Sequence, residues 1–403
     1  MYKIMEEKIL KFHKISIVFL FLLIMTMGIV CAEDANQTVS DTLQLNSTQD
    51  VVSDAPVMSY DDLSKTIKEA DDSITLESDY KYKDTDKIKK IDFKNRKFTI
   101  DGNNHVIDAD GKTTIFNVNG GTLTLKNIVF KNTNDSAIQL KSCTLNTINV
   151  TFINANAQDY GGAVYASGSD YYSTNDKFTD NSAKDAGSAI FGMSSKIYIT
   201  NATFTNKNPI KWSLIYGSNC MISVSDTIFA NTTSRYATAI YNSYITNITK
   251  SKFINLSAIA TGGAVAVKTD NQKMYPVLVI NDCEFTNVSA GRNGGAVFAD
   301  IAAATDTTGK GYVLIANTLF NKNTAEFGGA ILQLGGSLAV ANSNFTDNTV
   351  SENGGAIYSS RANVIIKNGA FTNNSAHEID GCGGAVYLDF EEATILDSTF
   401  TDN

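Results

Sequence analysis

Carboxylates dominate the chemically active side chains of this 403-residue chain: 42 Asp and Glu stand against 33 Lys and Arg, with three His. Two carboxylates flanking a sugar can protonate a leaving oxygen and activate water, and carboxylates that hold calcium bind acidic polymers. The candidates are Asp101, Asp108 and Asp110 in IDGNNHVIDADG, and Asp180, Asp347 and Asp402 in recurring FTDN tetrapeptides. The first three sit where Asp is favoured for bending the backbone alone. Asp180 and Asp347 are too far apart to act on one bond. The four arginines, Arg96, Arg235, Arg292 and Arg361, stand beside no dense group of acids. His105 and His377 have no second His at ligand spacing and read as turn or surface residues. The sequence thus nominates no catalytic residue, no cofactor and no metal site. An enzyme here would need carboxylates brought together across turns of the chain.

What must position such groups is a repeat. Phe130, Phe152, Phe178, Phe204, Phe229, Phe253, Phe285, Phe320, Phe345, Phe371 and Phe400 recur at spacings of 22 to 35, mostly 24 to 26. Asn follows each two or three places later. A second marker, Gly-Gly-Ala with Val or Ile, begins at Gly161–Gly162, Gly262–Gly263, Gly294–Gly295, Gly328–Gly329, Gly354–Gly355 and Gly383–Gly384, with weaker forms at 187, 213 and 238. Between markers lie short alternating runs such as KIYITNATF, which signal strands with one buried face. The period and strand content predict an all-β, right-handed parallel β-helix of about a dozen turns. In such a stack each residue meets its own copy about 4.8 Å away. Phe then forms a core ladder, Asn a corner ladder, and Gly-Gly-Ala a corner with a thin inward strand. Spacing grows where VKTDNQKMYPV follows Ala264 and ADIAAATDTTGKGYV follows Phe298; these long loops are the leading binding candidates. Tyr171, Tyr172, Trp212, Tyr236, Tyr241 and Tyr244 could stack on sugars or sit at corners.

Cys143 and Cys220 each precede a marker Phe by nine residues, in turns three apart. That separates them by about 14 Å, beyond any disulfide. With Cys283 and Cys382 they are expected as buried single thiols. Glycosylation triplets at Asn36, Asn46, Asn134, Asn149, Asn201, Asn231, Asn247, Asn255, Asn287, Asn344 and Asn373 permit a glycosylated surface.

Residues 1–32 read as an export signal: Lys8, Lys11 and Lys14, then an apolar run from Ile15 to Val30, then small residues before Glu33. Residues 33–403 hold 29 basic and 40 acidic side chains, a net charge of −11 that argues against nucleic acid as a partner. Residues 33–58 read as a flexible leader. SYDDLSKTIKEA then carries a capping box, Ser59 with Asp62, and places Leu63, Ile67 and Ala70 on one helical face, as a lid for the stack. Domain bounds follow: residues 59–110 as cap and first turns, and 111–403 as the repeats. The chain stops at FTDN in mid-repeat, and an open solenoid end is an aggregation hazard, so a longer protein is expected.

GGAIYSS with FTDN resembles the repeats of chlamydial polymorphic outer-membrane proteins. With SYDDLSKTIKEADDSITL and TIDGNNHVIDADG ahead of them, residues 59–403 are also similar to adhesin-like surface proteins of methanogenic archaea. The resemblance implies a right-handed β-helix displayed on the cell envelope and supplies no catalytic residue. The expected function is therefore a non-catalytic, extracellular or surface-bound adhesin-like protein. Its partner would be a cell-surface polysaccharide or protein, with the membrane met only through the signal or a missing C-terminal anchor. A polysaccharide lyase or hydrolase on this fold and a structural envelope spacer are the alternatives.

Overall fold

The computed structural model describes residues 56–269, 275–301, 311–377, 381–389 and 392–403. The expected signal and nearly all of the leader lie outside them. The described residues belong to one compact unit, Ala55–Asn403.

Helix α1, Tyr60–Glu69, opens the fold. Ser59 and Asp62 form the expected reciprocal capping box, and Leu63 and Ile67 are buried against the first turns. Arg96, reaching from the strand Ile91–Asp101, donates to the Ile67 carbonyl at 3.1 Å and the Asp71 carbonyl at 2.9 Å. One orphan carbonyl of the last helical turn, that of Ile67, is thereby satisfied.

Beyond α1 the chain is a parallel β-solenoid of about 12 turns. A representative turn has four strands: Val164–Ser167, Asp170–Thr174, Lys177–Thr179 and Ser182–Ala183. The first three pair in parallel with their counterparts one turn on, and the fourth with Asn156–Ala157 one turn back, so ladders run along the rod. The first two ladders build a 23-stranded sheet.

The Phe markers stand in register as one column of the third ladder, buried from Phe130 to Phe371 and exposed at Phe400. It continues toward α1 as Ile107 and Tyr80. From Phe178 to Phe400 successive rings lie 4.3 to 5.0 Å apart with planes within 13° of parallel. Parallel strands force this: identical side chains on identical backbones share one rotamer, and stacked rings exclude water between turns.

The Asn of the marker divides into two roles. The residue two after Phe, such as Asp347 or Asn373, sits outside in the left-handed region, with its neighbour's side chain bonded at 2.6 Å. The residue three after Phe points inward. Asn348 donates to the Phe320 carbonyl at 3.0 Å while its Oδ1 accepts from the Asn323 backbone N–H at 3.0 Å. Asn374 repeats both contacts on Phe345 and Asn348. Only a side chain with one donor and one acceptor satisfies both buried backbone groups.

The two glycines of Gly-Gly-Ala also serve different needs. Gly294 has φ of 63°, which a side chain resists. A Cβ on Gly295 would meet the Gly329 carbonyl oxygen at 1.9 Å, because successive turns touch backbone to backbone there. The following Ala296 is fully buried.

Asn348→Asp tests the inward role. At pH 7 it should place a charge in the core and leave the Phe320 carbonyl unpaired, costing about 2 kcal/mol or more. At pH 4 the protonated acid can donate again and the loss should shrink. Thermal melts at both pH values decide; equal losses would refute the paired donor–acceptor role.

Candidate functional site

The outward face of the first ladder carries one column through the rod. In register it reads Asp92, Asn117 and Gln139 near the capped end. It then turns aromatic at Tyr165, Phe191, Tyr216 and Tyr241. Ala266, Phe298, Leu332, Tyr358 and Tyr387 continue it. Tyr165 stacks on Phe191 at 5.5 Å, Phe191 on Tyr216 at 5.5 Å and Tyr216 on Tyr241 at 4.7 Å, all within 9° of parallel. The glycine corners add a second rank. Tyr160 lies 4.5 Å from the Phe191 ring, Trp212 stacks on Tyr236 at 4.6 Å, and Phe327 meets Tyr358 edge-on at 5.7 Å. Tyr160 keeps 40% of its surface exposed. Phe191, Ala266, Phe298 and Leu332 are buried within the column, so its open surface comes from Tyr160 and partly exposed rings such as Tyr165, Tyr216 and Tyr241, of the kind that stack on sugars or anchor a protein partner.

Where the column changes from aromatic to amide, a groove of about 470 Å³ opens. Tyr160 and Tyr165 line one side, and Asn117 and Gln139 the other. Asp135, Asp159 and Lys141 complete it. Asp135 is fixed by the Ser136 N–H at 2.8 Å and the Gln139 amide at 3.0 Å. Asn117 donates to Asp92 at 2.7 Å. The carboxamide oxygens of Asn117 and Gln139 stay available as acceptors.

The six carboxylates nominated from sequence do not come together. Asp101 accepts from the Asn103 N–H at 3.0 Å and the Asn127 amide at 3.1 Å, which hold its carboxyl below the usual range. Asp110 is held low by its hydrogen bond to Lys81 at 2.8 Å. Asp108 caps the corner through Asp110 N–H and the Asn132 amide. Asp180, Asp347 and Asp402 occupy the left-handed outer corner. All six act as turn chemistry, and lowered acids make poor proton donors. Among the described residues no group of three or more His, Cys, Asp or Glu comes together as a metal site. His105 pairs with Asp79 at 3.0 Å and His377 with Ser375 at 3.0 Å.

The two long loops leave stacked strands, Val265–Lys268 and Val297–Asp300, and so spring from the same corner of adjacent turns. Their centres, residues 270–274 and 302–310, lie outside the described residues. Tyr171 points into the core, while Tyr172 faces out and stacks on Tyr198 at 4.8 Å. Cys143, Cys220 and Cys283 are buried free thiols as expected, but Cys382 is exposed. It lies at the glycine corner, one residue before the Gly-Gly pair, which leaves it on the surface. The triplet asparagines Asn149, Asn201, Asn255 and Asn287 donate their amides along the outer corner ladders.

One titratable cluster was not foreseen from sequence. Asp176 stands two residues before Phe178, a column that elsewhere holds Val150, Ala202, Thr227 and Ser251. It is 1% exposed. Its carboxylate accepts from the Val150 N–H at 2.7 Å, from Ser173 at 2.6 Å and from Thr147. Tyr171 joins through Thr147 at 3.1 Å. Thr147 and Ser173 fill an inward column that otherwise carries Leu125, Ile199 and Val224. Burial pushes the Asp176 carboxyl up to about 6 despite these donors. Sealed from solvent, the cluster meets no substrate; it holds two turns together.

Because the folded carboxyl titrates above its ordinary value of 3.8, its stabilisation is full below about pH 4 and is lost as pH rises through about 6. Asp176→Asn keeps the acceptor and cannot ionise. It should leave stability near pH 4 unchanged and raise it at pH 8 by up to about 3 kcal/mol. Denaturant midpoints at the two pH values measure this; a variant less stable at pH 8 would refute a costly buried charge.

Two stretches, residues 342–360 and 368–389, match the Chlamydia polymorphic membrane protein repeat. They cover two Gly-Gly-Ala corners and two strands of the Phe column, at Phe345 and Phe371. No curated protein and no solved structure matches the chain. Among the described residues no helix is long and apolar enough to cross a membrane. Each matched stretch joins a strand of the stacked Phe column to a Gly-Gly-Ala corner, the pairing that recurs at Phe253, Phe285 and Phe320.

Proposed function

We propose that this chain is a non-catalytic, adhesin-like protein of the cell surface that holds a polysaccharide or protein partner along the outward aromatic column. The column from Tyr165 to Tyr241 carries the reading. A structural spacer gains nothing from the partly exposed rings of Tyr165, Tyr216 and Tyr241, whereas a binding surface needs rigid, amphipathic contacts at fixed spacing. The rod supplies rigidity, since each ring is positioned by a strand hydrogen-bonded on both sides. Repetition turns weak single contacts into avidity. The match to repeats of polymorphic membrane proteins supports display on the envelope.

A second reading, a polysaccharide-cleaving enzyme, is favoured by the groove, which Asp135 and Asp159 from adjacent turns line together with Lys141. One experiment separates them. Residues 33–403, which retain the whole compact unit, are incubated with envelope and plant polysaccharides with and without calcium. Saturable retention without released oligosaccharide is expected. A Tyr216→Ala/Tyr241→Ala variant should weaken retention about tenfold while keeping its melting temperature. Product release abolished by Asp159→Asn would make the protein an enzyme instead.

A further inference from the structure

We infer that the groove at the start of the aromatic column is a subsite for an uncharged hexopyranose chain, and that it rejects uronate and sulfated sugars. The inference rests on the binding reading above and names its ligand class.

The first argument is the change of chemistry along one straight column. Gln139 and Asn117 occupy the same outward position as Tyr165, one and two turns toward the cap. Consecutive positions are about 4.8 Å apart, comparable to one pyranose unit. A chain laid along the rod therefore stacks one ring on Tyr165, beside Tyr160, and presents the next to two amides. The groove's volume, about 470 Å³, suits a short oligosaccharide segment.

The second argument is the balance of donors and acceptors. Asp135, Asp159 and the amide oxygens of Asn117 and Gln139 are acceptors, while each amide nitrogen gives one N–H to Asp92 or Asp135 and keeps a second. Lys141 and Ser167 supply further donors. A site offering acceptors and donors side by side reads sugar hydroxyls, which donate and accept at once. A uronate or sulfate would instead press its charge against two carboxylates that one lysine cannot neutralise. A polycation would leave Lys141 facing like charge.

The test uses the purified chain and four probes: maltohexaose, cellohexaose, a galacturonate hexamer and a lysine-rich peptide, read by calorimetry. The expected result is binding of a neutral hexaose at least about tenfold tighter than the galacturonate or the peptide. Tyr165→Ala should lose about tenfold in that affinity, and the distal Tyr387→Ala should not change it. Asp135→Asn/Asp159→Asn should weaken the neutral hexaose and narrow its margin over galacturonate. Should Tyr165→Ala misfold, the more exposed Tyr160→Ala replaces it. Tighter binding of galacturonate or peptide overturns the inference. Neutral-glycan binding lost in Tyr387→Ala but not in Tyr165→Ala also overturns it, while leaving the aromatic column as the binding surface. Binding to none of the hexaoses, with retention on cell-surface protein, likewise removes the groove as a sugar subsite without removing adhesion.

Discussion

Everything in this molecule follows from the parallel hydrogen bonding of one turn to the next. That spacing brings each side chain against its own counterpart, so a choice made at one position is repeated or contradicted a turn later. Phe succeeds because a flat apolar ring packs well on a copy of itself. Asn succeeds because its amide donates to one turn's carbonyl and accepts from the same turn's N–H. Gly295 and its counterparts succeed because the backbones touch where a Cβ would stand.

The same constraint shapes the surface. A polar or aromatic residue placed outward is displayed as a row, and the row from Tyr165 to Tyr241 is straight because its strands are in register. The interior shows the cost of departing from uniformity. Asp176 brings a carboxylate into the core, and three neighbours in two turns are polar to match it: Thr147, Tyr171 and Ser173. A buried acid is tolerated because its hydrogen bonds are complete, yet desolvation still favours the protonated form.

The fold was legible because its determinants are identical residues at a near-constant period. Phe345 and Phe371 announce each other, and so do Gly354 and Gly383. The site was less legible. Trp212, Tyr236 and Tyr241 stood out as aromatics, but the column that Tyr241 belongs to is diluted by Ala266 and Leu332 and emerges only once register is known. The signal was the residue immediately after the Val or Ile of each glycine marker: Tyr165, Phe191, Tyr216, Tyr241, Phe298, Tyr358 and Tyr387. Asp135 and Asp159 carry no repeat signature, since they meet only where two corner loops are stacked. Asp176 was hidden for the opposite reason: it replaces small or apolar residues in a column whose inward direction cannot be read from one turn. The tetrapeptide FTDN also concealed two positions, an outer Asp and an inner Asn, that point to opposite sides of the wall.

The inner asparagine has a consequence for how such a chain can change over generations. Asn348 and Asn374 each bond only the adjacent turns, through a carbonyl and an N–H on one side and the next inner asparagine on the other. A whole turn can therefore be duplicated or lost, and the flanking asparagines find equivalent partners at once. A single residue inserted within a strand has no such escape, because it would swap the inner and outer rows of that turn. The spacings of 22 to 35 residues between phenylalanines bear the mark of this filter. From Val164 onward the strands of the first ladder are three or four residues long and those of the second four or five. The rod's length is thus free to drift in steps of one turn, while its cross-section is held almost still.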